Sequence, residues 1–153
     1  MFFSKFHKSK GVMRWFALIC GFLFFTTAYF QGEIKEAIIA FSIGMLCGFS
    51  IDLIGMKKFH FWNYPRQPFL GKKYFAIVVP AWGVFGLTIN LFWDWLSIPW
   101  LSFVVLTVGL FGLYELPNLK TKSWKYNTPV WLIGIGWWAL ILYFRIIFEI
   151  IRI

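Results

Sequence analysis

Five apolar runs, at 15–30, 37–54, 74–93, 96–116 and 130–148, occupy most of this 153-residue chain and are separated by short polar connections. A hydrocarbon core about 30 Å thick is crossed by roughly 20 apolar residues in a helix. Five such runs fill the chain and leave no separate soluble domain. Charged residues make up only 14%, against about 25% in a soluble domain. The expected fold is therefore all-α, a polytopic membrane bundle of five transmembrane helices. It forms one domain over 1–153, with a basic tail at 1–14, a lead helix at 15–30, a first helix pair at 37–93 and a second at 96–148.

The inventory removes several membrane functions. Haem ligation needs histidines inside the spans, whereas His7 lies in the tail and His60 in a connection. Retinal chemistry needs a mid-membrane lysine, and every Lys falls in a tail or connection. Cys20 and Cys47 sit in apolar runs and read as small buried hydrophobes rather than a disulfide or metal pair. Ala17-Leu18-Ile19-Cys20 has Ile19 where a lipoprotein cleavage site takes a small residue. The first run is expected to be retained as a helix.

Basic residues near span ends stay on the cytoplasmic side. Twelve of the 15 Lys and Arg residues fall on one side: four in the tail, five in the connection 55–73 and three in the connection 117–129. Lys35, Arg145 and Arg152 fall on the other. The sequence thus predicts a multi-pass cell-membrane protein with a cytoplasmic N-terminus and an external C-terminus. That bias accounts for the net charge of +9. Membrane lipids, rather than nucleic acid, are the expected partners of the basic side.

An internal repeat is also expected. Asp52 closes one apolar run, Trp62 and Tyr64 follow, and Pro80-Ala81-Trp82 opens the next; Glu115, Trp124, Tyr126 and Pro129-Val130-Trp131 do the same later. These are the chain's two Trp-x-Tyr triplets. Both copies cross in the same sense, so they would be parallel repeats about an axis along the membrane normal. For the aromatics alone, an interfacial belt is the simpler reading. It leaves the carboxylates unexplained. A carboxylate at the edge of a span is costly without water or a partner and marks a functional position. The simpler alternative pairs Asp52 and Glu115 with Lys57, Lys58 or Lys120.

Small residues tell where helices approach. Ala40, Gly44, Gly48 and Asp52 are spaced by four and share a helical face. Gly112 shares a face with Glu115, and Gly83, Gly86 and Asn90 punctuate the third run. A compact bundle is expected to aim Asp52, Glu115 and Asn90 inward.

The pattern Asp52, Gly55, Trp62, Tyr64, Leu70-Gly71 and Pro80, echoed by Glu115, Trp124, Tyr126 and Pro129, resembles integral-membrane carotenoid enzymes of the lycopene cyclase and carotenoid hydratase type over roughly 52–131. The Pro-x-Glu-Glu motif that such cyclases share has no counterpart, since Ala81-Trp82-Gly83 follows Pro80. The resemblance implies a lipophilic isoprenoid substrate and acid–base chemistry by Asp52 and Glu115. Asn90, Trp62, Tyr64, Trp124 and Tyr126 would line the substrate. Protonating a double bond needs a carboxylic acid, and aromatic faces stabilise the resulting cation. No cofactor or metal is expected. Two non-enzymatic classes stay open: a membrane subunit or scaffold within a homo- or hetero-oligomer, and a small solute carrier.

Overall fold

A computed structural model describes residues 12–65, 68–110, 112, 115, 118, 122 and 124–152. Most of the tail, with His7, lies outside that set, as do Arg66 and Lys120. The protein is a helical bundle of α1 (Val12–Gln31), α2 (Ile34–Asp52), α3 (Val79–Leu96), α4 (Pro99–Leu110) and α5 (Val130–Arg152), with two short strands, β1 (Trp62–Asn63) and β2 (Lys125–Tyr126). Three segments are long and apolar enough to cross a membrane: Ile34–Lys58, Tyr74–Leu96 and Trp131–Arg152. The apolar stretches Leu18–Gln31 and Pro99–Leu110 are shorter.

Local chemistry sets the helix ends. Gly32, at φ +76°, ends α1 in a left-handed turn. The Glu33 N–H reaches Ala28 O at 2.8 Å and the Gly32 N–H reaches Tyr29 O at 3.2 Å, the paired bonds that satisfy a helix's last carbonyls. Glu33 also accepts the Trp95 indole N–H at 3.0 Å, tying this turn to the end of α3. Ser97, at φ +57°, ends α3, and Pro99 opens α4, where its missing N–H has no helical partner to lose.

Helices α2 and α3 approach at backbone distance. A methyl group on Gly44 would stand 2.5 Å from Trp82 O, and one on Gly86 2.5 Å from Gly44 Cα. The expected small-residue stripe is thus the contact face, and Gly83 and Gly86 supply its other side. Beyond Asp52 the helix widens into a π-type turn over Leu53–Lys58, and a second such turn, Tyr74–Val78, leads into α3. Between them the connection passes through β1. It pairs antiparallel with β2, Trp62 opposite Tyr126 and Asn63 opposite Lys125. Asn127 secures the pairing, its N–H on Phe61 O at 2.8 Å and its side-chain amide on His60 O at 2.9 Å. The ladder joins the two basic connections at one end of the bundle.

Candidate functional site

Asp52 is fully buried at the end of α2. Its Oδ1 accepts the Trp62 indole N–H at 2.9 Å and the Tyr64 hydroxyl at 3.0 Å; its Oδ2 accepts the Tyr74 hydroxyl and the Trp82 indole N–H, each at 2.8 Å. Each oxygen therefore takes one indole and one phenol as its nearest donors, and the Tyr64 hydroxyl also reaches Oδ2 at 3.3 Å. Glycines make the cage possible, because a side chain on Gly48 or Gly55 would enter the ring of Trp82 or Trp62. Burying a carboxylate is costly unless its lone pairs are filled, and here neutral donors fill them. The alternative pairing with Lys57 and Lys58 gives way: their ammonium groups lie over the rings of Phe69 (6.0 Å) and Phe59 (5.4 Å).

Glu115 repeats the arrangement with fewer donors described. It is buried, and its Oε1 accepts the Tyr126 hydroxyl and, at 2.8 Å, the Trp137 indole N–H. The Tyr126 hydroxyl also meets the indole of Trp124. Trp124 is half-buried, its backbone N–H on the Asn118 side chain at 3.0 Å. The two cages are contiguous. In the interior, the Phe85 ring lies 5.4 Å from both Trp82 and Trp137, so rings connect one carboxylate to the other. Toward the connections, β1 and β2 set Trp62 opposite Tyr126.

Burial, and then the Asp52 charge, push the Tyr64 phenol well above its ordinary range; burial, and then Glu115, raise the Tyr126 phenol likewise. Both hydroxyls are thereby kept protonated and able to donate.

The structure thus brings together Asp52, Glu115, Trp62, Tyr64, Trp124 and Tyr126, but not Asn90. Eight residues beyond Trp82, Asn90 lies about 12 Å further along α3. Its side-chain amide donates to Gly86 O at 2.9 Å, and its backbone carbonyl accepts from Arg145 at 3.2 Å. Arg145 belongs to a second polar centre. Asp94 lies 2.6 Å from Arg145 and 2.7 Å from Arg152, and Glu149 pairs with both arginines. All the ion pairs among the described residues are in this cluster.

Three cage members are absent from the expected site: Tyr74, Trp82 and Trp137. The expected repeat matches Trp82 with Trp131, but Trp131 is 66% exposed. Trp137, six residues on, reaches Glu115 instead. Spacing carries the signal that finds two of them, since Tyr74 follows Asp52, and Trp137 follows Glu115, by 22 residues. Among the described residues, no three His, Cys, Asp or Glu side chains gather as a metal set would. No protein-family model, curated protein or solved structure matches the chain.

Proposed function

We propose that the chain is a five-span membrane protein built on a parallel repeat, and that Asp52 and Glu115 act together on a lipophilic, isoprenoid-type olefin. The observation that carries this reading is the continuous aromatic connection between two buried carboxylates that lack cationic partners among the described residues. Burying an acid costs more than an apolar contact unless its lone pairs are filled, and here the filling groups are aromatic. Two acids joined by rings suit a reaction that passes through a cation.

The repeat finds support in the strand register. If Trp62 corresponds to Trp124 and Tyr64 to Tyr126, Asn63 corresponds to Lys125, and these two residues face each other in the ladder. A two-fold axis through that pair exchanges the two connections.

In the proposed chemistry the carboxyls have unequal parts. The indoles on each Asp52 oxygen can only donate, which favours Asp52 as an anion that steadies positive charge. Glu115, held through Oε1 by Tyr126 and Trp137, is assigned the part of donating a proton. Glu115 gives that proton to one olefinic carbon and becomes a carboxylate, and the π pair forms the new C–H bond. Positive charge is left on the neighbouring carbon. The rings of Trp82, Phe85 and Trp137 stabilise it by roughly 0.5–2 kcal/mol each. Loss of a different proton to Glu115 completes an isomerisation; capture by water, which passes one of its protons back to the Glu115 carboxylate, completes a hydration.

The test is deuterium labelling. Proteoliposomes holding the protein and an acyclic polyene are incubated in D2O, and the recovered polyene is weighed by mass spectrometry. One deuterium per turnover is expected with the natural chain and none with Glu115→Gln. An unlabelled polyene from the natural chain sinks the acid–base reading.

A second reading, a membrane subunit, draws on the open glycines. Side chains at Gly109, Gly112, Gly134 and Gly136 would meet nothing within 4 Å, unlike those at Gly44 and Gly86. A purified chain that is monodisperse and stable alone counts against it.

A further inference from the structure

The end of the bundle that carries the acids has an unusual surface. The connection 55–73 holds Lys57, Lys58, Arg66, Lys72 and Lys73, and the connection 117–129 holds Lys120, Lys122 and Lys125, with no Asp or Glu in either. The only acids near this end, Asp52 and Glu115, are buried beneath ring donors. Lys57, Lys58, Lys72, Lys73, Lys122 and Lys125 are all exposed, and the described ion pairs lie at the opposite end. Orientation in the membrane accounts for the lysines but not for the missing acids, because Asp and Glu contribute little to that bias.

The two lysine-bearing connections are tied together by the strand pair. Lys57 lies over Phe69, three residues before Lys72, while Asn127 binds the segment next to Lys125 onto His60 and Phe61, close behind Lys57 and Lys58. Large apolar side chains stand among them, with Phe59, Leu70 and Phe75 each about half exposed. Cations interleaved with exposed apolar groups match an amphiphile, whose head group is anionic and whose chains are apolar.

We infer that this rim binds the phosphate head group of an anionic lipid, seated over the end of the bundle that carries Asp52 and Glu115. The inference holds whether or not the two acids perform chemistry. Phosphate oxygens accept from several ammonium groups at once, and Phe59, Leu70 and Phe75 enter the boundary between head groups and acyl chains.

The full-length protein is reconstituted in phosphatidylcholine bilayers with and without phosphatidylglycerol, and retained lipid is measured by native mass spectrometry. Phosphatidylglycerol is expected to be enriched over its bulk fraction. Each lysine near the surface contributes roughly fivefold, so Lys57→Gln with Lys58→Gln should cut the enrichment roughly tenfold or more. Lys72→Gln with Lys73→Gln serves if the first pair fails to fold. Lys35→Gln, at the other end, should leave it unchanged. Equal retention of both lipids, or an equal loss in Lys35→Gln, overturns the inference. Inorganic phosphate that raises the melting temperature as much as phosphatidylglycerol does would assign the rim to a free anion and overturn the lipid.

Discussion

Trp82 and Trp137 serve different carboxylates and pack on one ring: Phe85 stands edge-on to the first and tilted to the second, 5.4 Å from each. Phe85 is 2% exposed and also meets Phe144 at 5.4 Å. Removing it withdraws support from both cages at once. Phe85→Ala is expected to cost roughly 3–5 kcal/mol, the range for deleting a buried aromatic, measured by unfolding in detergent. Phe85→Leu, which keeps most of the volume, should unfold near the natural chain yet lose most deuterium transfer. Undiminished transfer in Phe85→Leu would separate the rings from the chemistry.

Asp52 is expected to be unforgiving even of its closest replacement. An asparagine turns one acceptor oxygen into an NH2 group, and whichever oxygen is replaced faces an indole N–H that can only donate. A buried donor left unpaired costs roughly 1–3 kcal/mol, so Asp52→Asn should lower the melting temperature measurably. Glu115→Gln retains an oxygen for Tyr126 and Trp137 and should unfold close to the natural chain. Comparable melting of both variants would show that the four donors around Asp52 do not select an anion.

Much of this arrangement is legible in the sequence, and the gaps have physical causes. Runs of apolar residues reveal helices because a bilayer demands them, and small residues at every fourth position reveal the α2 face because helices in lipid associate through close packing. Asp52, Trp62 and Tyr64 stand out through scarcity and repetition. Tyr74, Trp82 and Trp137 are less visible, because in a chain with 10 Trp and 20 Phe a ring that donates a hydrogen bond inward looks like one that faces lipid. Trp131 is the counterpart of Trp82 that the motif suggests, because proline precedes both by two residues, but the direction of a side chain depends on helix phase, which that motif does not set. Polarity alone puts Asn90 beside the acids, whereas depth along α3 assigns it to Arg145.

The phenols give the site a pH signature. Tyr64 and Tyr126 keep their protons well above the ordinary phenol value of about 10. Above that pH the unfolded chain releases these protons while the folded chain holds them, so the unfolded state binds fewer. Stability is therefore fully present below about pH 10 and falls as pH rises beyond it. Denaturation across this range should show the decline, and Tyr64→Phe and Tyr126→Phe should each flatten it. A slope unchanged by both substitutions would place the alkaline sensitivity elsewhere.

Glycines of the two halves should respond in opposite ways. A methyl group at Gly48 enters the Trp82 ring, whose indole is fixed by Asp52 on one side and stacked 6.0 Å from Phe144 on the other. Gly48→Ala is expected to destabilise by roughly 1–3 kcal/mol through overpacking. Gly134, within α5, has nothing within 4 Å of the same position, and alanine there gains about 0.5–1 kcal/mol of helix preference. Thermal unfolding distinguishes the two, and a destabilised Gly134→Ala would mean that its open face is covered in the assembled protein.

At the far end, Arg145 holds three acceptors with one guanidinium: the Asn90 carbonyl, Asp94 and Glu149. Trp93 and Phe148 lie 5.6 Å from its centre, so the cation rests between aromatic faces as well as carboxylates. A lysine keeps the charge but offers a single nitrogen on a flexible stem, which cannot match the forked geometry that spans α3 and α5. Arg145→Lys should cost about 1.5–3 kcal/mol, as one charge-assisted bond is lost. Arg145→Met leaves two carboxylates with Arg152 alone, and should cost more, toward the roughly 3–5 kcal/mol seen when a buried pair is broken. Because Asp94 and Glu149 are partly exposed, that upper value is a ceiling. Unfolding of the two variants side by side checks the order. Equal stability of Arg145→Lys and the natural chain would mean that charge alone, without the fork, joins the helices.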